Sequence, residues 1–78
     1  MAKLVQVIGK PDCHLCEQAQ EVVSQVCAEF GTPWESVSIY DQPSLADLYA
    51  EFIPVIIIDG KVHDQFGVSA QRLRAALS

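Results

Sequence analysis

The 78-residue sequence predicts an α/β fold in which a four-stranded mixed sheet carries helices on both faces, with element order βαβαββα. A strand pattern, a long amphipathic helix pattern and a second strand pattern open the chain, which is typical of a parallel crossover unit. Two further strand patterns separated by Asp59-Gly60 are typical of a β-hairpin. The predicted elements, in chain order, are residues 4–8, 13–30, 34–40, 43–52, 54–58, 61–66 and 70–77.

The first strand and helix have well-marked ends. Residues 4–8 form an apolar run rich in β-branched side chains, and Gly9 follows it directly. Residues 13–30 place apolar side chains along one helical stripe, with acidic side chains on the other side. Asp12 is the predicted N-cap, and Gly31 is expected to end the helix in a left-handed conformation.

The remaining elements follow from shorter patterns. Residues 34–40 alternate between two faces, as expected of a half-covered strand, and residues 43–52 read as a short helix with a proline in its first turn. Residues 54–58 are continuously apolar and therefore predict a buried strand. Ser69 is the predicted cap of the final helix, residues 70–77.

Length and composition limit the function. A chain of this size supports one hydrophobic core, so a single domain over residues 1–78 is expected, as a monomer. Ten acidic residues against five scattered basic ones argue against nucleic acid and anionic membranes as partners. No apolar run approaches the ~20 residues of a membrane span. Lys10-Pro11-Asp12 follows the first run instead of a cleavage pattern, so a cytoplasmic location is expected.

Cys13-His14-Leu15-Cys16 is the motif that carries chemistry. It lies at the start of the predicted first helix, where the positive helix end stabilises a thiolate. Lys10 and protonated His14 would add positive charge and tune that thiolate. The spacing lets Cys16 resolve within one helical turn a mixed disulfide formed by Cys13, so both are the predicted catalytic residues.

The other cysteine and the histidines leave a zinc site incomplete. A structural zinc site usually has a second pair of closely spaced ligand residues. The further candidate ligands in this sequence are only Cys27, His14 and His63. Cys27 lies eleven residues beyond the pair, roughly 16 Å along a helix, so it cannot join that site. We interpret Cys27 as a core residue, His63 as a solvated edge residue, and Trp34 and Phe66 as packed against the sheet.

Three landmarks in order resemble those of glutaredoxins: Lys10-Pro11-Asp12-Cys13-His14-Leu15-Cys16, Ile53-Pro54-Val55 and Asp59-Gly60. The resemblance implies a thioredoxin-like fold of glutaredoxin size. It also implies a dithiol thiol–disulfide oxidoreductase that acts on protein or glutathione mixed disulfides. In such proteins the lysine, the cysteine pair and a cis proline converge, so Ile53-Pro54 is expected to be cis. The Ile53 backbone would then pair with substrate as an added strand, and Lys10 and Pro54 are also expected to contact the substrate or glutathione.

The sequence departs from the glutaredoxin pattern in two places. His14 and Leu15 stand where Pro and Tyr are common, and Phe66-Gly67-Val68-Ser69 replaces a Gly-Gly pair followed by Asp. Backbone amides at Val68 and Ser69 remain predicted binders of a glutathione carboxylate. No bound cofactor is expected. Glutathione as cosubstrate and a thioredoxin-reductase-type electron donor stay open beside disulfide-containing protein substrates.

Two other functions use the same residues. A non-catalytic binding module would present Ile53 and the thiols as a docking site gated by oxidation of the pair. A metal or iron–sulfur carrier would use Cys13 and Cys16 as ligands. The pKa of Cys13 and reductase activity separate the enzyme from the binding module. Colourless, metal-free protein purified under reducing conditions would count against the carrier.

Overall fold

The computed structural model describes residues 3–78 and contains all seven elements in the predicted order, βαβαββα. This confirms the predicted α/β class, with a four-stranded mixed sheet and three helices. The elements are β1 (Val5–Gly9), α1 (His14–Phe30), β2 (Trp34–Ser38), α2 (Pro43–Tyr49), β3 (Val55–Ile58), β4 (Lys61–Gln65) and α3 (Ala70–Leu77).

The sheet has the strand order β2-β1-β3-β4. β1 and β2 are parallel and are connected through α1, whereas β3 runs antiparallel to both β1 and β4. Asp59 and Gly60 adopt φ values of 51° and 84°, as a two-residue type I′ hairpin turn requires. The crossover and the hairpin are therefore both present, and β1 and β3 are the central strands.

Helices cover both faces of this sheet because the side chains of β1 and β3 alternate. Val5, Val7 and Ile56 face α1 and α3, while Ile8 and Ile57 face α2. The larger cluster lies on the α1 and α3 side and is completed by Ala19, Val23, Val26, Cys27 and Leu73. None of the helices in the described part of the chain is both long enough and apolar enough to cross a membrane.

The start of α1 differs from the prediction by one residue. Asp12 has φ 60°, in the left-handed region, so its backbone cannot lead into the helix as an N-cap. Cys13 takes that position with φ −101° and ψ 107°, and its Sγ accepts the N–H of Cys16. The other predicted caps are confirmed: Gly31 ends α1 at φ 63°, and the Ser69 hydroxyl accepts the N–H of Arg72.

Three elements end earlier than predicted, each for a local reason. β2 ends at Ser38, whose N–H donates to the Asp41 carboxylate at 3.0 Å and turns the chain. α2 ends at Tyr49, and the turn that follows is closed by Phe52 N–H donating to the Tyr49 carbonyl. β4 ends one residue early because Phe66 has φ 65°, which an extended strand cannot include.

Two side chains lie elsewhere than predicted. His63 is half-buried rather than solvated, and its Nε2 is buried with no hydrogen-bond partner among residues 3–78. Phe66 is exposed instead of packing against the sheet, because its positive φ turns the chain away from the strand. Trp34 packs against the larger cluster as predicted, and Cys27 is buried within it, where burial raises the pKa of its thiol.

We expect Leu73→Ala to lower the free energy of unfolding by about 2–5 kcal/mol, since Leu73 is completely buried between α3 and the sheet. Leu48→Ala is the matched control, because Leu48 is also helical but 61% exposed, and should change stability by no more than ~0.5 kcal/mol. Urea unfolding of both variants measures this. Equal losses would show that α3 does not complete the core.

Candidate active site

The predicted cysteine pair is joined by a disulfide at the start of α1. The Cα atoms of Cys13 and Cys16 are 5.2 Å apart, within the usual range for a disulfide. Because Cys13 is the N-cap, its sulfur lies beside backbone N–H groups that have no partner within the helix. One of them, the Cys16 N–H, donates to Cys13 Sγ at 3.2 Å. This arrangement favours a negatively charged sulfur at position 13.

The two sulfurs differ in accessibility. Cys16 points into the protein and is 1% exposed, whereas Cys13 is only half-buried because the cap position lies outside the first turn. A molecule in solution can therefore contact Cys13, whereas Cys16 is shielded by the protein.

Gly9, the last residue of β1, makes room for Cys16. A Cβ atom at position 9 would lie 2.9 Å from Cys16 Sγ and 3.0 Å from Cys16 Cβ, closer than side-chain atoms normally approach. The sequence pattern predicts Gly9 only as the residue that ends the first strand. A glycine at the edge of an apolar strand also signals close approach of another group, which was the available clue.

The Ile53-Pro54 segment lies at the same end of the sheet. The peptide bond is cis, as the resemblance implies, with Pro54 buried and Ile53 half-buried. β1 and β3 pair Ile8 with Val55, and continuing that register by one residue brings Pro54 opposite Gly9. Gly9 thus has Cys16 packed against it and is the register neighbour of the cis proline.

Lys10 and His14, the predicted thiolate-tuning residues, have other neighbours. Lys10 is exposed and lines a shallow cavity of about 210 Å³ with Gln20, Ser36 and Ser38, among others. The exposed His14 ring contacts Gln18 at 3.2 Å and the Glu17 carboxylate at 3.9 Å. No hydrogen bond within residues 3–78 joins either side chain to a sulfur, so their tuning role stays a prediction.

Val68 and Ser69, the predicted glutathione contacts, lie just before α3. The Ser69 hydroxyl caps that helix by accepting the Arg72 N–H at 3.3 Å, so its oxygen already has a structural role. Val68 packs against the larger cluster and lines a second cavity together with Leu15. That cavity brings the connection between β4 and α3 beside the cysteine motif.

Two aromatic residues near the site were not predicted to belong to it. The Phe66 N–H donates to the Phe52 carbonyl at 3.0 Å, which ties the end of β4 to the residue before Ile53. The two rings meet edge to face with centroids 5.9 Å apart. The sequence does not predict this contact between Phe52 and Phe66, because phenylalanine rarely adopts the positive φ that turns Phe66 outward.

The two arginines of α3 contact carboxylates and not the cysteine motif. Arg74 forms two hydrogen bonds of 2.9 Å with the Glu29 carboxylate; these bonds lower the pKa of Glu29 and raise that of Arg74. Arg72 lies 3.6 Å from the Asp64 carboxylate. Across the described residues, no three His, Cys, Asp or Glu side chains are grouped as metal ligands.

Comparison with known proteins identifies the family. Residues 4–78 match the model of the family described as Glutaredoxin-like domain (DUF836). The chain belongs to this family. The match covers the cysteine motif, the cis-proline segment and α3, so the glutaredoxin-like assignment extends over every part of the site.

Solved structures agree with the assignment. The XcR50 protein of X. campestris is 34% identical, over 94% of this chain and 93% of that one, with a TM-score of 0.76. Ne2328 of Nitrosomonas europaea shares 22% identity over all of this chain and 94% of its own, with a TM-score of 0.85. Chloroplastic thioredoxin z, at 16% identity over 97% of this chain and 75% of its own, has a TM-score of 0.77 and the same fold. The chain is thus a glutaredoxin-like protein with the thioredoxin fold.

We expect Gly9→Ala to destabilise the reduced protein by about 1–3 kcal/mol, because the added methyl group would overlap Cys16. In a Cys16→Gly background, which removes both Cys16 Sγ and Cys16 Cβ, the same change should cost clearly less. Thermal unfolding of the four proteins in this double-mutant cycle measures the coupling. Equal costs in both backgrounds would show that Gly9 and Cys16 do not compete for space.

Proposed function

We propose that this protein catalyses thiol–disulfide exchange, with Cys13 as the attacking thiol and Cys16 as the resolving thiol. One observation carries the proposal: two sulfurs close enough to bond differ in access, Cys13 being half-buried and Cys16 1% exposed. Thiol–disulfide exchange needs an accessible thiol that attacks the substrate and a shielded thiol that attacks the mixed disulfide afterwards, which matches this difference in access.

In the first step the Cys13 thiolate attacks one sulfur of a substrate disulfide. A bond forms between Cys13 and that sulfur, the substrate disulfide breaks, and the other substrate sulfur leaves as a thiolate that takes up a proton. The N–H of Cys16 donates to Cys13 Sγ and supports negative charge there before the attack. The product is a mixed disulfide on Cys13.

In the second step Cys16 loses its proton and attacks Cys13 Sγ. The mixed disulfide breaks, the second substrate thiol is released, and Cys13 and Cys16 are left oxidised as a disulfide. The substrate gains two electrons, which the cysteine pair supplies. An external thiol or dithiol, such as glutathione or a reductase of the thioredoxin-reductase type, would then reduce the pair for another cycle.

Disulfide-containing proteins are the proposed substrates, and Ile53 is their proposed docking point. Ile53 is half-buried beside the buried Pro54, at the end of the sheet where Cys16 packs on Gly9. A substrate strand added there would bring its own disulfide toward Cys13. Lys10, His14, Val68 and Ser69 remain proposed contributors to thiolate charge or glutathione binding.

Single-turnover mass measurements test the roles of the two cysteines. Reduced protein is mixed with a capped peptide disulfide, the reaction is quenched with acid, and the mass of the intact protein is measured by mass spectrometry. We expect the wild type to lose two hydrogens and release both peptide thiols. Cys13→Ser should stay unreacted, because it lacks the attacking thiol, and Cys16→Ser should gain the mass of one peptide thiol attached to Cys13.

Cys27→Ala is the matched control, since Cys27 is buried in the core and should leave the reaction as in the wild type. If Cys13→Ser accumulates the adduct and Cys16→Ser does not, the two roles are reversed. If the wild type does not react at all, the protein is a binding module and not an enzyme.

A further inference from the structure

A shallow apolar groove lies beside the cysteine motif. It is formed by the outer side of the first turns of α1 and by the connection between β4 and α3, and it encloses about 210 Å³. Leu15, the residue between His14 and Cys16, lies on one wall, and Phe66 lies on the other. The full lining is Leu15, Gln18, Ala19, Val22, Phe66, Gly67 and Val68.

The backbone holds the walls of this groove open to solvent. Leu15 is 56% exposed and Phe66 58% exposed, although both are large apolar side chains. Phe66 is held at φ 65°, in the left-handed region that non-glycine residues rarely adopt. Its N–H donates to the Phe52 carbonyl, and its ring rests on that of Phe52. The backbone therefore presents an aromatic surface across the groove from Leu15 of the cysteine motif.

The size of the groove suits one apolar side chain. An apolar cavity of about 150 Å³ accommodates benzene, so about 210 Å³ has room for an aromatic or branched aliphatic group. Polar lining is limited to Gln18 and the backbone. A charged group placed here would lose water without gaining a partner.

The charges around the groove distinguish between a protein and glutathione. Glutathione carries two carboxylates and one ammonium group, so its binding needs charged partners in addition to the backbone amides predicted at Val68 and Ser69. None of the residues lining the groove is charged. Arg72 and Arg74 are already paired with Asp64 and Glu29, and Lys10 lines a different cavity. The chain also has a net charge of −5, which repels an anionic tripeptide.

We propose that the Leu15–Phe66 groove binds an apolar side chain next to the reactive cysteine of a polypeptide substrate, and so selects polypeptide disulfides over glutathione disulfide. A residue inside a polypeptide chain has no terminal charges and supplies an apolar side chain. This inference rests on the proposed function and specifies its substrate class. Gln18 would border the docked side chain rather than bind a charge.

Four disulfides test the proposal on the reduced full-length protein. Two are homodimers of peptides capped at both ends, one with Phe beside its cysteine and one with Gly there. The others are glutathione disulfide and the small neutral bis(2-hydroxyethyl) disulfide. Second-order rate constants for oxidation of the protein are measured, and each is divided by the rate constant of the same disulfide with dithiothreitol, which removes differences in intrinsic reactivity.

We expect the Phe peptide to react about tenfold faster than the Gly peptide, because the docked ring is removed from water, and more than tenfold faster than glutathione disulfide. Phe66→Asn should reduce the Phe-to-Gly ratio to within about twofold. Asparagine tolerates positive φ, so the turn is retained while the ring is lost. Leu48→Gln, an exposed substitution on α2, should leave the ratio as in the wild type.

Three rate results would overturn the proposal: a Phe-to-Gly ratio near one, an unchanged ratio in Phe66→Asn, or preference for glutathione disulfide. Each leaves the proposed function intact if all four disulfides still oxidise the protein. Failure to react even with bis(2-hydroxyethyl) disulfide would overturn both. A dimer in sedimentation velocity that Phe66→Asn dissociates would assign the groove to a second copy of the chain, and would also overturn the proposal.

Discussion

The first turn of α1 rests on the last residue of β1, and the rest of the site depends on this contact. Cys16 can be buried at the end of the sheet only because Gly9 has no side chain. With Cys16 in that place, Cys13 falls at the cap position, half-buried, with its sulfur beside free backbone N–H groups. One steric constraint therefore creates both the difference in access and the electrostatic difference between the two thiols.

The same contact explains how a small domain holds a precise site. The central strands β1 and β3 are largely buried, and their register brings Pro54 opposite Gly9. The elements that carry Cys16 and Pro54 are thus fixed by the hydrophobic core and not by the loops around them. Loops supply the variable part of the surface, where Phe66 is turned outward beside Leu15. Under the proposed function, the core positions the reacting cysteines and the loop surface selects the substrate.

Sequence predicted the elements and the cysteine pair because periodicity, turn residues and spacing are local signals. It misplaced the N-cap at Asp12, since Asp is a common cap and nothing local shows that its φ is positive. The predictions that Phe66 packs against the sheet and that His63 is solvated were also wrong. A side chain beside or beyond a β-bulge follows the irregular backbone and not the strand alternation. The requirement for Gly9 depends on a contact with Cys16 seven residues away, which only the folded chain shows.

Alkylation rates of the three thiols test the central claim, that the helix start makes Cys13 the reactive sulfur and shields Cys16. Reduced native protein is treated with limiting iodoacetamide, and modified peptides are quantified over time. Cys13 should be modified first, and Cys16 should follow at least tenfold more slowly. Cys27, whose thiol pKa is raised by burial, should react only on unfolding. Modification of Cys16 as fast as Cys13 would contradict the central claim.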